Sequence, residues 1–227
     1  MQDKLLVELI DASYLGVENT VECWLIKLDD LNVSSPYDTQ YIKREQNKRR
    51  NIQKLPELRK QIYQRILSDY LGIQEQELLI ARKSNGKPYI VTDTFKNVNF
   101  NVSHSKQYML VGIKKNQHIG LDIQVIHSYN YIKEAYKGIL SPYELKEFSE
   151  IRTNEQKEYL FCTWVQKEAI AKALGLGLLL DFTTFRVTYF ASLGKFEYEC
   201  QETVLGKCFK ISLRKEPRYF YAIAVEL

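Results

Sequence analysis

The sequence contains no CxxC pair, and its four cysteines, Cys23, Cys162, Cys200 and Cys208, lie far apart in apolar or mixed stretches. That spacing suggests neither a thiolate zinc site nor a disulfide framework and fits a reducing cytoplasm. No window reaches the ~18 uninterrupted apolar residues of a membrane-spanning helix, and the first residues, MQDKLLVELIDASYLG, lack the apolar core of an export signal. The expectation is a cytoplasmic protein with no membrane contact. Ten Gly and five Pro in 227 residues are too few for a fibrous or low-complexity chain. Charge of one sign is scarce as well: 32 Lys and Arg stand against 28 Asp and Glu, and a net +4 is too mild to imply a nucleic-acid partner.

What is present is an ordinary globular composition, 45% hydrophobic and 26% charged, in a length that suits one larger domain or two halves. The charge is unevenly spread. The run KREQNKRRNIQKLPELRK, from Lys43 to Lys60, is dense in Lys and Arg with only two Glu, a field that draws a phosphorylated small molecule or an acidic protein.

The pattern along the chain is mixed. VECWLIKLD (21–29) alternates as a strand, and the apolar residues of 56–71 recur at three and four as one helix face, closed by Gly72. LLIARKSNGKPYIV reads as strand, Asn85-Gly86 turn, strand; VNFNVSHS begins another strand, and YMLVGIKKNQHIGLDI is expected to fold as a hairpin with its loop at 115–118. That loop is the expected boundary between a half at 1–116 and a half at 117–227. Three helices follow: YIKEAYKGIL; SPYELKEFSEI, with Ser141 as N-cap and Pro142 in the first turn; and the long NEQKEYLFCTWVQKEAIAKALG, ended by glycine. TTFRVTYF, KFEYECQE, FKISLRKE and YFYAIAVEL are expected to finish the chain as four strands. No internal repeat is visible.

Two places carry chemistry. Asp122 is bracketed by Leu121 and Ile123, so its carboxylate needs a partner or a cation. In WVQKEAIAK, Trp164, Glu168 and Lys172 share one helix face at successive fours, while Lys167 projects roughly 100° away. A surface Glu–Lys pair is the plain alternative, but the residues around this turn are apolar nearly all round, the mark of a buried helix. A buried Glu and an interior Asp are two hard oxygen ligands for magnesium when a substrate diphosphate completes the shell.

NGKPYI (85–90), FNVSHS (100–105), IGLDIQ (119–124) and WVQKEAIAKALGLGL (164–178), in this order and spacing, resemble the Sfp-type 4′-phosphopantetheinyl transferases. The resemblance implies an α+β fold of two similar halves related by a pseudo-twofold, with coenzyme A and Mg2+ (Mn2+ possible) between them. It implies transfer of the phosphopantetheine arm of coenzyme A to a serine of an apo acyl or peptidyl carrier protein, by a monomer. Asp122, Glu168 and Gln124 would form the metal set, and Glu168 would also accept the serine proton. Lys172 would steady the leaving phosphate. His104 would meet the phosphates, and Ser103 would join it in binding coenzyme A; Lys87 and Pro88 would border the adenine; Lys43 and Arg59, with Arg65 as competitor, would reach the 3′-phosphate. Gln124 stands where many relatives carry an acid, which implies weaker magnesium binding. A catalytically silent module that binds coenzyme A or a carrier protein is the alternative.

Overall fold

A computed structural model describes residues 7–11, 21–28, 46–126, 129–189 and 197–227, with the backbone alone for 7–11, 46–54, 129–131, 178 and 197–201. Lys43 and Arg44 lie outside the described residues, as do the side chains of Lys48, Arg49 and Arg50. The strands are β1 (Val7–Asp11), β2 (Glu22–Lys27), β3 (Ile80–Arg82), β4 (Pro88–Ile90), β5 (Val98–Ser105), β6 (Tyr108–Lys115), β7 (Ile119–Val125), β8 (Glu197–Val204), β9 (Lys207–Lys215) and β10 (Tyr219–Glu226). The helices are α1 (Gln46–Leu71), α2 (Tyr129–Ile139), α3 (Pro142–Glu150) and α4 (Thr153–Leu174).

Side-chain alternation sets the layers. Along β6, Met109, Val111 and Ile113 pack with Ile62, Ile66 and Leu67 of α1, while Tyr108 and Leu110 pack on β7 and β10. Along β10, Phe220, Ala222 and Ala224 pack with α4, while Tyr221, Ile223 and Val225 point back to the first sheet. The result is an α+β protein in which two sheets lie face to face, with α1 on one outer side and α4 on the other.

Both sheets are four-stranded and antiparallel, in the orders β1-β2-β6-β5 and β7-β10-β9-β8. Each contains the same path: a strand, a long helix, then two strands of which the second inserts beside the first. In one sheet these are β2, α1, β5 and β6; in the other, β7, α4, β9 and β10. The repeat is one of topology, which explains why no repeat shows in the residues.

Three sequence expectations are corrected. β6 and β7 do not pair as a hairpin; β6 lies between β2 and β5, and the chain crosses at 116–118 to the other sheet, where β7 pairs with β10. Alternation specifies a strand but not its partner. TTFRVTYF is a short 3-10 turn at Phe182–Thr184 followed by irregular chain, because side chains take its backbone donors: Val187 N–H bonds Glu144 Oε1 at 2.9 Å and Thr188 N–H bonds Glu202 Oε1 at 2.6 Å. The basic helix starts at Gln46 and runs through Pro56, whose missing N–H removes one i→i−4 bond from a helix of 26 residues.

The other elements follow their signals. α3 opens on Ser141 with a capping box to Glu144, and α4 closes at Gly175 in the left-handed conformation, φ 72°. Cys23, Cys162 and Cys208 are free thiols, and burial pushes Cys23 up to about 12. Among the described residues no helix is long and apolar enough to cross a membrane.

Candidate active site

At one margin of the two facing sheets their end strands β5 and β7 adjoin along a seam that explains the polar side chains of β5. One edge of β7 is hydrogen-bonded to β10, and the other faces β5. Buried backbone N–H groups there need acceptors. Asn101 Oδ1 accepts from Leu121 N–H at 2.9 Å, Ser103 Oγ from Ile123 N–H at 3.3 Å, and Ser105 Oγ from Val125 N–H at 3.1 Å. The alternate residues of one strand thus satisfy the alternate residues of another through side chains rather than a backbone ladder.

β7 turns Gly120, Asp122 and Gln124 toward α4. Gly120 lets the helix approach: a Cβ there would lie 2.0 Å from the carbonyl oxygen of Ala169. That contact brings the last turns of α4 over Asp122, which is 2% exposed. Lys172 Nζ donates to Asp122 Oδ1 at 2.6 Å and to Ser103 Oγ at 3.0 Å, and Ser103 Oγ donates to the same Asp122 oxygen at 3.0 Å. Gln124 Nε2 donates to Asp122 Oδ2 at 3.1 Å. This arrangement answers the demand of a carboxylate between apolar neighbours.

Glu168, one turn before Lys172, is half-buried. Burial, and next the nearby Asp122 charge, push its carboxyl up to about 7, against the opposing pull of Lys172. Such a group takes or gives a proton near neutrality.

The even residues of β5 face α1. His104, its outer face exposed, is held below the ordinary imidazole range by desolvation and then by the cations of Arg59 and Lys172. Arg59, on α1, donates from Nη2 to the carbonyl of Lys106 at 2.7 Å, and its buried Nε finds no partner among the described residues. Arg65 pairs instead with Asp69 and Glu75 at the surface, at 3.6 and 3.5 Å. Of the two, Arg59 is the one within electrostatic reach of His104.

The β3–β4 hairpin grips the C-terminal end of α4. Asn85 Nδ2 donates to the carbonyl of Gly175, and Lys87 Nζ donates to the carbonyl of Lys172 at 2.5 Å and of Ile119 at 3.5 Å. A cation at a helix C-terminus satisfies orphan carbonyls and complements the dipole. Burial, with nearby Lys83 a smaller cause, brings Lys87 down to about 8. The ammonium expected to border an adenine is therefore engaged by backbone; Pro88 is the first residue of β4.

Sequence reasoning assigned no partner to Lys167, which is fully buried. Its Nζ reaches Glu144 Oε2 at 2.5 Å and the carbonyls of Phe182, Phe185 and Ile139 at 2.7, 2.8 and 2.9 Å. Two neighbouring lysines of one motif thus have different uses. The signal was available: a lysine in a helix that is apolar all round must be buried and paired.

Of the residues singled out in the sequence, Asp122, Glu168, Lys172, Ser103 and Gln124 come together under the end of α4, with His104 and Arg59 on the other face of β5 and Lys87 behind the helix. Among the described residues no three His, Cys, Asp or Glu side chains gather as a metal cluster. The acidic set is two carboxylates with an amide beside them.

Two family models match the chain. One, described as the 4′-phosphopantetheinyl transferase superfamily, covers residues 118–223, and one described as 4′-phosphopantetheinyl transferase, N-terminal, covers residues 34–116. The 4′-phosphopantetheinyl transferase HetI of Nostoc is 29% identical over 119 residues, 52% of this chain and 50% of that protein. The L-aminoadipate-semialdehyde dehydrogenase-phosphopantetheinyl transferase of Xenopus laevis is 25% identical over 158 residues, 66% of this chain and 49% of that one. The 4′-phosphopantetheinyl transferase gsp of Aneurinibacillus migulanus is 25% identical over 177 residues, 78% of this chain and 70% of that one. The chain thus spans about half the length of HetI and of the Xenopus protein. With the motifs, the repeated strand–helix–strand–strand path and two adjoining family matches in agreement, the chain belongs to the 4′-phosphopantetheinyl transferase superfamily.

Proposed function

We propose that the protein transfers the 4′-phosphopantetheine group of coenzyme A to a serine of an apo acyl or peptidyl carrier protein, releasing adenosine 3′,5′-bisphosphate. The observation that carries this reading is the setting of Lys172. Two of its three ammonium donors go to Asp122 and Ser103, the third finds no acceptor among the described residues, and a carboxyl poised near neutrality, Glu168, lies one turn away.

Phosphoryl transfer asks for positioning and charge neutralisation more than covalent help. The carrier serine oxygen forms a bond to the phosphorus that bears pantetheine, and the bridging P–O bond of the diphosphate breaks. The Glu168 carboxylate takes the serine proton, and the third Lys172 N–H stabilises charge on the departing phosphate oxygen. His104 and Arg59 line the other face of β5 with donors for the remaining phosphate.

The acidic set fits a hard divalent cation. Glu168 is raised first by burial and next by the charge of Asp122, and a cation between the two carboxylates would offset both. Asp122 and Glu168, with the Gln124 amide oxygen or water, would hold magnesium or manganese, and the bound ion supplies charge neutralisation for the diphosphate. The same reading takes the join at 116–118 as the boundary between the halves 1–116 and 117–227. It also takes the basic surface near Arg44, Lys48, Arg49 and Arg50 as the place that meets an acidic carrier helix, and the working form as a cytoplasmic monomer.

The test is the intact mass of an apo acyl carrier protein incubated with coenzyme A, magnesium and this protein, beside Glu168→Ala. A gain of one phosphopantetheine that the variant loses is the expected result. No gain with several carriers, while coenzyme A still binds, would replace the transferase by the silent binding module.

A further inference from the structure

A serine hydroxyl has one proton and two lone pairs. Ser103 uses all three within the chain: it donates to Asp122 Oδ1 at 3.0 Å, accepts from Lys172 Nζ at 3.0 Å and accepts from Ile123 N–H at 3.3 Å. It is 4% exposed. A phosphate oxygen placed beside it would need that one proton, and taking it would remove a bond from buried Asp122. Nothing in the hydroxyl is spare for a ligand.

Lys172 is held from the same side at its other end. Its backbone carbonyl accepts from Lys87 Nζ at 2.5 Å, and Lys87 and Ser103 both come from residues before the 116–118 crossing, whereas Lys172 and Asp122 come after it. The reacting lysine is therefore framed by the first sheet and its hairpin, although α4 packs on the second sheet.

We propose that Ser103 is a positioning residue: saturated by Ile123 N–H, Asp122 and Lys172, it fixes the ammonium of Lys172 and the carboxylate of Asp122 from across the seam and makes no bond to the substrate phosphates. This inference rests on the transferase reading for its kinetic consequence but not for its geometry. Ser105 is the internal comparison, because it makes the same kind of bond across the seam, to Val125 N–H at 3.1 Å, without touching Lys172 or Asp122.

Steady-state kinetics and the side-chain ammonium NMR signal of Lys172, assigned with Lys172→Arg in 15N-lysine-labelled full-length protein, test the proposal together. Ser103→Ala is expected to lower kcat by ~10-fold or more with KM for coenzyme A within about twofold, and Ser105→Ala to leave kcat within about twofold. The Lys172 signal is expected in wild type before coenzyme A is added and to be lost in Ser103→Ala. A rise in KM with kcat kept marks Ser103 as a ligand contact and overturns the proposal. An equal fall of kcat in Ser105→Ala assigns the effect to a loosened seam and also overturns it. Absence of the signal from unliganded wild type does the same without any variant having to fold. If wild type modifies no carrier yet the signal behaves as stated, the transferase reading fails and the positioning role stands.

Discussion

Gly120 and Ala169 approach so closely that a methyl group on the glycine would meet the Ala169 carbonyl oxygen at 2.0 Å and the Ala173 nitrogen at 2.3 Å. Both obstacles are backbone, so no side chain can swing away. Gly120→Ala is expected to force α4 off β7, with a loss of about 3 kcal/mol or more. A methyl group added to Gly138, in α2, would meet nothing within 4 Å, and Gly138→Ala should gain ~0.5–1 kcal/mol by helix propensity. Urea unfolding of the two variants checks both, and equal midpoints would refute the close approach.

Glu144 and Lys167 form an ion pair with both side chains fully buried, 2.5 Å apart. Removing one partner leaves a charge uncompensated, so Glu144→Ala should cost ~3–5 kcal/mol. Replacing both, as Glu144→Leu with Lys167→Met, should cost less than the sum of the single changes. A double-variant cycle that adds without coupling would show that the two charges do not depend on each other.

The stability of the ligand-free protein should fall as pH rises through neutrality. Glu168 is raised on folding from 4.5 to about 7, first by burial and then by Asp122, so the folded state holds its proton more tightly. The associated stabilisation is complete below about 4.5 and lost as pH rises through about 7. Allowing for the part-exposed carboxyl, the span is about 2 kcal/mol. Glu168→Gln, which cannot ionise, should flatten this part of the profile, measured as the difference in unfolding free energy between pH 5 and pH 8. An unchanged slope would place the titration on another group.

Gln124→Glu should lower the half-saturating magnesium concentration for transfer several-fold, because a third carboxylate joins Asp122 and Glu168. Gln124 already sits on Asp122 Oδ2 at 3.1 Å, so the new carboxylate would be in place to share a cation. Identical half-saturation for the two proteins sinks the idea.

Local signals were legible where their causes are local. Ser141, Pro142 and Glu144 announce the start of α3, and the capping box is in place. The apolar surround of Glu168 and Lys172 announced a buried helix, and Gly175 its end. The hairpin expected at 115–118 failed because the same alternation serves a strand in either sheet. The strand expected at TTFRVTYF failed because Glu144 and Glu202, distant in sequence, take its backbone donors.

The sequence by itself determined the elements, the buried helix, the isolated carboxylate of Asp122 and the family that its motifs resemble, since periodicity, capping and spacing act within a few residues. Only the tertiary structure decided which lysine of the α4 motif is spent on the fold and which meets Asp122 and Ser103, and why β5 carries Asn101, Ser103 and Ser105. Those outcomes depend on where buried backbone and side-chain groups find partners. Satisfying a buried hydrogen-bonding group is a question of proximity in space, which spacing along the chain does not encode.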